Sequence, residues 1–495
     1  MEKYKICLQP IGKTLEVNKN TPLIDLLHGY GIEFPCGGKG TCGKCRVKIT
    51  EGSIETSETH RQKLEQLQLG DEWRLACFSR CSGNLTIEIE QLEQIILADE
   101  TEFSFSPQHG FGIAVDLGTT TIVAQLVDLS TAKVMAVETA LNPQAKFGAD
   151  LISRIQACLD GNQPVMTGLI RKTIGGMCAK MLDGRKFQIR KVVLVGNAAM
   201  QLIFSGGNVA PLACYPFHTD DLGMKLFIPE ELGWHFPVSE EIQFYPSIGS
   251  FVGSDILAGI AATGLHKKEN YTALIDLGTN GEIVLGNKNR IVCASTAAGP
   301  AFEGANISMG MRAVNGAISS LILENNEPKA TVIGNVPAKG ICGSGLIDAV
   351  AILRKQNLIG EFGEICSGDT SVFIAPKVLL TQKDINEFQL AKAAIAAGFT
   401  ILAKSMGIGL SDISEIYIAG GFGNYINIDN LIATGMVNGT SDNIHKMGNT
   451  ALIGAKTFLF SGEEEASLIL SKTSHVNLEG DPEFQDIFIE NMMFG

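Results

Sequence analysis

The sequence predicts a small α+β domain followed by a duplicated α/β region. Three observations point there. A cysteine constellation, Cys36-x5-Cys42-x2-Cys45 with Cys77 downstream, lies in a short strand-rich segment. The tetrapeptide Asp-Leu-Gly-Thr occurs twice, beginning at Asp116 and Asp276, each time between apolar β-branched runs. Between the two kinds of pattern runs ADETEFSFSPQH (98–109), polar, acidic and aperiodic, which reads as a linker.

The elements follow in order. YKICLQP and KTLEVNK read as two strands parted by Ile11-Gly12. PLIDLLHGY reads as a short helix with Thr21 as N-cap and Pro22 at its first position, where a missing N–H costs nothing. RVKITEG reads as a strand, 57–68 as a helix and NLTIEI as a strand, closing a unit near residue 95. GIAVDLGTTTIVAQLVDL and YTALIDLGTNGEIVLGN are each strand–turn–strand signals. Strands and helices alternate after each copy, as in KVVLVGNAAMQLIF and EIYIAGGFGNYIN, which favours α/β architecture. The expected boundaries are 1–95, a linker at 96–109, a first lobe at 110–265 and a second lobe at 266–495.

Composition limits the function. The 495 residues are 45% hydrophobic, enough for a large core. The net charge is −14, and residues 1–95 hold 12 Lys+Arg against 13 Asp+Glu, so the acidity belongs to the remainder. Nucleic-acid surfaces are usually basic, so that partner class is unexpected. No run reaches the ~18–20 uncharged apolar residues of a membrane span, and MEKYKICLQP has no apolar core of a secretory signal. A cytoplasmic protein with reduced thiols is expected. Glycine (55) exceeds proline (16) in the pattern of tight turns and backbone-lined sites, not of linkers.

Four thiolates suit a soft-metal centre. The glycines of Cys-Gly-Gly-Lys-Gly-Thr-Cys-Gly-Lys-Cys let the backbone wrap closely and aim N–H groups at inorganic sulfide. Zinc accepts the same ligands, but zinc sites more often show two CxxC knuckles, and one is present. Cys81, four residues past Cys77, reads as a spare thiol, and the other cysteines show no ligand spacing. The first 95 residues resemble a [2Fe–2S] ferredoxin (β-grasp) domain, with the one-residue-longer first gap of the adrenodoxin-type variant. The resemblance implies Cys36, Cys42, Cys45 and Cys77 as ligands; which two share an iron is left open.

At each hairpin, a Gly turn exposes N–H groups that cradle phosphate oxygens. Gly118, Thr119 and Thr120 form one such turn, and Gly278, Thr279 and Asn280 the other. Asp116 and Asp276, at the strand ends, can hold Mg²⁺ through water. IYIAGGFGN places Gly420, Gly421 and Phe422 at a strand-end turn that a base or ribose can approach. Gly343 and Ser344 lie in a further Gly-rich turn. GNA (196–198) and GSFVGSD (249–255) are weaker candidates for phosphate-side loops, and STAAGPAFEGA (295–305) for a ligand or partner contact. In NPQAKFGADLISR (142–154), Lys146 and Arg154 are candidates to reach phosphate or to sit as solvated charge. No GxxxxGK[ST] occurs, which removes a Walker-type P-loop. Residues 110–495 resemble the actin and sugar-kinase ATPase superfamily, which implies a duplicated actin-like (ribonuclease H-like) fold binding ATP with Mg²⁺.

Over its full length the chain resembles the reductive activators of corrinoid proteins. That resemblance implies ATP-dependent one-electron reduction of inactive cob(II)amide to cob(I)amide on a corrinoid protein of a methyltransferase system. It also implies a low-potential electron donor and a homodimer. An uphill electron step of ~0.1 V costs about 2.3 kcal/mol, which is why nucleotide energy is needed. Some family members carry a middle domain, and the short linker here leads to the expectation that it is lacking. A polar linker of this length has a reach of roughly 20 Å, so a swinging ferredoxin domain is expected. The competing readings are a metabolic kinase with a sensing cluster and a redox-responsive ATP-binding scaffold.

Overall fold

The computed structural model describes all residues except 1, 10–11, 28–29, 31, 33, 35, 44, 68, 90–104, 149, 185–186, 216, 279, 305, 326, 421–424 and 495. The N-terminal unit holds β1 (Lys3–Gln9), β2 (Lys13–Asn18), α1 (Leu23–Leu27), β3 (Arg46–Glu51), α2 (Glu58–Gln66), β4 (Trp73–Leu75) and β5 (Leu85–Glu88). Its sheet has the order β2-β1-β5-β3-β4, with β1 and β5 parallel. Ile6, Leu8, Val47, Leu75 and Ile87 fill one core with Leu23 and Leu27 of α1. α1 begins later than expected. The Thr21 hydroxyl donates to the Asn18 carbonyl and Pro22 bridges to Arg80, so Thr21 does not cap the helix. Ser57 caps α2, its side chain accepting from the His60 N–H.

The first lobe contains β6 (Phe111–Leu117), β7 (Thr121–Asp128), β8 (Lys133–Leu141), α3 (Leu151–Ala157), α4 (Gln163–Leu182), β9 (Ile189–Gly196), α5 (Ala198–Ser205), β10 (Lys225–Phe227), β11 (Ile242–Phe244) and α6 (Ser254–Thr263). The second contains β12 (Tyr271–Leu277), β13 (Gly281–Gly286), β14 (Ile291–Thr296), β15 (Ala317–Glu324), β16 (Glu327–Val332), β17 (Gly340–Ile341), α7 (Gly343–Lys355), β18 (Ser371–Ala375), β19 (Val378–Thr381), α8 (Gln382–Met406), β20 (Ile413–Ala419), α9 (Ile428–Ala433), β21 (Ile444–Gly448), α10 (Thr450–Lys472), β22 (Thr473–His475) and α11 (Phe484–Glu490).

The main sheets are β10-β11-β9-β6-β7-β8 and β21-β20-β12-β13-β14-β22. In each, an antiparallel three-strand meander is joined by a parallel strand: β9 beside β6, β20 beside β12. The duplicated motif therefore marks a duplicated sheet, the actin-like arrangement. Helices α6 and α10 share a core that draws Val193 and Val195 from one sheet and Leu274 and Val284 from the other. Two residues assigned by sequence to the linker are tied to this assembly. Phe105 packs on Phe460 at 5.0 Å between ring centres, and the Gln108 side chain donates to the Phe460 carbonyl at 3.2 Å.

Candidate functional site

The cluster loop runs between α1 and β3, and the turn Ala76–Phe78 after β4 brings in the last cysteine. The sulfurs form two pairs. Cys36 and Cys42 lie 3.4 Å apart, Cys45 and Cys77 3.3 Å. Among the described residues, no three His, Cys, Asp or Glu side chains converge on one metal position. Two pairs match a two-iron cluster, with two thiolates for each iron, better than the single tetrahedral centre of zinc. Burial pushes the Cys36 thiol up, but hydrogen bonds from Cys42 and Thr41 outweigh it and bring the group down to about 7. In the other pair the hydrogen bond to Cys77, with burial, raises Cys45, while accepting that bond lowers Cys77. Each pair thus has one sulfur disposed to ionise, as metal loading requires. Burial pushes the Cys81 thiol up to about 11, as suits an inert spare.

Gly40 is required by its neighbour as well as its backbone. Its φ is +74°, and a Cβ there would lie 2.3 Å from the Phe78 ring. Phe78 stacks on His60 at 5.2 Å, and His60 Nε2 accepts from the Leu75 N–H at 2.9 Å. Burial, with Arg74 nearby, lowers His60 to about 4, so it stays neutral.

Asp116 and Asp276 occupy equivalent places, next to last in β6 and β12. Both residues are half-buried at the C-terminal ends of these strands. Burial raises Asp116 to about 6, offset in part by a hydrogen bond from Asn449 Nδ2 at 2.7 Å. Burial, then repulsion from Asp255 and Asp116, raises Asp276 to about 7. Asp255, on the first turn of α6, is also raised to about 7, chiefly by burial. Glu282 stands directly across from Asp276 in the β12–β13 pairing and is pushed well up by burial and by these acids. Like charges directly opposed are unfavourable. Repulsion among these acids adds to the raised state of Asp255, Asp276 and Glu282, although among the described residues no three of them converge on one metal position.

Close backbone contacts surround Gly118 and Gly420, whereas a Cβ on Gly278 would meet nothing nearer than the Asn280 carbonyl at 3.6 Å. A Cβ on Gly118 would lie 2.6 Å from the Thr121 carbonyl. Gly420 has φ +108° and lies against β12, where a Cβ would meet the Leu277 carbonyl at 2.2 Å and Asp276 Oδ1 at 3.1 Å. The turn therefore starts beside the second acid. Thr279, Gly421 and Phe422 lie outside the described residues. The Gly278 N–H donates to the Asn280 carbonyl at 3.1 Å, closing the second hairpin. Gly343 and Ser344 open α7; the Ser344 hydroxyl donates to the Ser319 carbonyl at 2.7 Å, and Gly343 packs on the Phe302 carbonyl.

Several residues around the first hairpin were given no role of their own by sequence, although Asn197 lies in the candidate loop 196–198 and Asn142 opens the segment 142–154. Asn142, fully buried, donates its side-chain amide to the Gly118 carbonyl and its N–H to the Thr120 carbonyl, both at 2.9 Å. Asn197, the N-cap of α5, donates to Thr119 Oγ1 at 3.0 Å. Asn449 caps α10 and reaches Asp116 from the other half of the chain. Asparagine ahead of a helix was a visible capping signal; its second partner was not. Glu282 was visible too, as an acid inside an apolar strand. Lys146 and Arg154 take neither expected role. Lys146 pairs with Asp25 of the N-terminal unit at 2.9 Å, and Arg154 is wholly buried.

Residues 6–82 match the model described as a 2Fe-2S iron-sulfur cluster binding domain. Residues 111–268 match "RACo middle region", and 270–495 match "C-terminal domain of RACo the ASKHA domain". A protein of Eubacterium limosum described as "Corrinoid activation enzyme RamQ" is 34% identical, with 98% of each chain covered. The chain belongs to the reductive activators of corrinoid proteins. A methylated amine-specific corrinoid protein reductase of Methanosarcina barkeri is 28% identical over 70% of this activator and 69% of its own length. The solved structure "Reductive activator for corrinoid,iron-sulfur protein" superposes with a TM-score of 0.70 and 28% identity, covering 99% of this chain and 98% of that one.

These matches correct one expectation. The middle region is not lacking, because the first lobe itself is what the middle-region model describes. The Eubacterium limosum alignment is 591 positions long against 495 residues here, so that relative does carry insertions. No helix among the described residues is long and apolar enough to cross a membrane.

Proposed function

We propose that this activator returns the cob(II)amide of a corrinoid protein to cob(I)amide, at the expense of ATP. The reaction adds one electron to the corrinoid, taken from an external low-potential donor, while ATP and water become ADP and phosphate. One-electron exchange is the chemistry a [2Fe–2S] cluster supplies when bound. Cys36 and Cys42 would hold one iron and Cys45 and Cys77 the other. The backbone of Gly118–Thr120 and of Gly278–Asn280 would cradle phosphate oxygens. Asp116 and Asp276, with Asp255 and Glu282 beside them, would hold Mg²⁺ through water and orient the attacking water. Gly420, Gly421 and Phe422 would line the adenosine, and Gly343 and Ser344 would support the cleft wall.

The observation that carries this reading is the presence in one chain of a two-pair thiolate loop and two equivalent acid hairpins. A ferredoxin alone passes electrons downhill, whereas a nucleotide cleft can supply the energy for an uphill step. The domain limits 1–95, 96–109, 110–265 and 266–495, a homodimer and a cytoplasmic setting complete the proposal. It is tested by mixing the purified protein anaerobically with a low-potential reductant, a cob(II)amide-loaded corrinoid protein and ATP. The cob(I)amide absorbance should appear only when ATP is present. No absorbance change, together with phosphorylation of an added small molecule, would replace this reading with the kinase. A colourless protein carrying zinc would remove the cluster.

A further inference from the structure

Lys146 and Phe147 lie among the five residues that separate Asn142 from Gly148, and this stretch touches both functional centres. At one end, Asn142 is committed to the first hairpin through the Gly118 and Thr120 carbonyls. Its side-chain oxygen accepts from the Gln144 N–H at 3.0 Å, so the turn that follows is pinned to the same residue. A parallel route starts at Thr119. Asn197 holds the Thr119 hydroxyl and accepts from the Met200 N–H. Met200 Sδ receives weak contacts from Asn142 Nδ2 at 3.6 Å and Arg154 Nη1 at 3.7 Å. Arg154 Nε donates to the Gly148 carbonyl at 3.0 Å. All three residues of the hairpin are therefore tied, directly or by way of Asn197, Met200 and Arg154, to the stretch 142–148.

At the other end the stretch grips the cluster loop. Lys146 pairs with Asp25 on α1, and its ammonium also sits 5.5 Å from the centre of the Phe147 ring. The Phe147 carbonyl lies against Gly37, where a Cβ would come within 2.6 Å. Gly37 follows Cys36 directly, so the contact covers the loop beside the first sulfur pair. Phe78 covers the same loop at Gly40. A protein needing electron contact at the Gly37 side must displace 146–148. Among the described residues the grip includes one ion pair and a close backbone contact, and a partly exposed ion pair is a weak interaction. Such a grip can open without unfolding anything.

Two features suit a switched contact. Arg154 Nη2 is buried with no hydrogen-bond partner among the described residues, leaving a spare donor at the centre of the relay. Thr120 Oγ1 also donates to Glu303 of the second lobe at 3.5 Å, so movement of one lobe against the other acts on the same hairpin. We propose that residues 142–148 are a latch that docks the cluster loop on the first lobe, and that nucleotide at the Gly118–Thr120 hairpin releases it. Asn142 and Arg154 act as positioning residues in this relay. The proposal rests on the nucleotide reading above and adds the route by which that site acts on the cluster domain.

Hydrogen exchange of the full-length, cluster-loaded protein tests it, with and without Mg²⁺ and a non-hydrolysable ATP analogue. Nucleotide should slow exchange at 116–121 and speed it at both 36–43 and 142–148 by about fivefold or more, the lower range of site-to-site coupling. Lys146→Ala should show the fast exchange at 36–43 without nucleotide and keep its basal ATP hydrolysis. Joining Asp25→Lys to Lys146→Asp should restore the slow state, which a merely structural role for Lys146 would not predict. Protection at 116–121 with no change at 36–43 overturns the latch and leaves the nucleotide reading standing. No protection at 116–121 removes both.

Discussion

The two Asp-Leu-Gly-Thr hairpins share a sequence and a place in their sheets, but not their surroundings. The first is held by asparagines: Asn142 on two carbonyls, Asn197 on Thr119 and Asn449 on Asp116. Across the sheet from Asp116 stands Val123; across from Asp276 stands Glu282. The first hairpin is thus wired to its neighbours by neutral donors, while the second concentrates negative charge. The same hairpin sits in a network of neutral donors in one lobe and beside further acids in the other.

The largest effect should come from the asymmetric position across the sheet. Glu282→Gln is expected to lower ATP hydrolysis by about 10²-fold, the scale of losing one preorganised group at a reacting centre. Val123→Ala should leave hydrolysis unchanged and cost about 1–2 kcal/mol of stability. Steady-state phosphate release measures the first and denaturant unfolding the second. Equal losses of hydrolysis would erase the distinction between the hairpins.

Next comes the hydrogen-bond wiring. Asn142→Ala removes the donor to the Gly118 carbonyl, leaves a buried gap and should cost about 2 kcal/mol. Asn280→Ala at the second hairpin, which alters a turn residue and not a side chain bracing the turn from outside, should stay within about 0.5 kcal/mol. Urea midpoints compare the two.

The acid centre also has a pH signature. Folded Asp276 and Asp255 titrate near 7 and Asp116 near 6, all above the ordinary 3.8. A carboxyl raised on folding adds stability that is fully present below its unfolded value and is lost as pH rises through its folded value. Without nucleotide or Mg²⁺, the melting temperature of the lobes should therefore fall between about pH 4 and 7, by about 5 °C. Asp276→Asn should flatten the part near pH 7 more than Asp116→Asn does. A melting temperature that rises through this window would contradict the buried-acid reading. At the latch, Lys146→Ala should change global stability by less than about 1 kcal/mol, because its ion pair is partly exposed.

Much of this was legible in sequence because its signals are short-range. The cysteine spacing lies within a single loop plus one turn. The hairpins announce themselves through a Gly-Thr turn between apolar strands. The early start assigned to α1 failed because Pro22 is drawn into a bridge with Arg80, a partner 58 positions away that local capping rules do not consider. The supposed loss of the middle region failed for a different reason: one half of a duplicated fold was counted as ATPase and then sought again in the linker.

The strands flanking each Asp-Leu-Gly-Thr turn and the spacing of the four cysteines were legible in the sequence alone, because turn chemistry and strand periodicity act over a few residues. Tertiary structure decided which sulfurs pair, that Glu282 faces Asp276, that Asn449 reaches Asp116, and that Lys146 meets Asp25 and not phosphate. Those contacts join residues from distant elements, and no periodicity or spacing encodes them. They exist only because the two sheets, the helices between them and the docked cluster loop bring buried polar groups to places where each must find a partner.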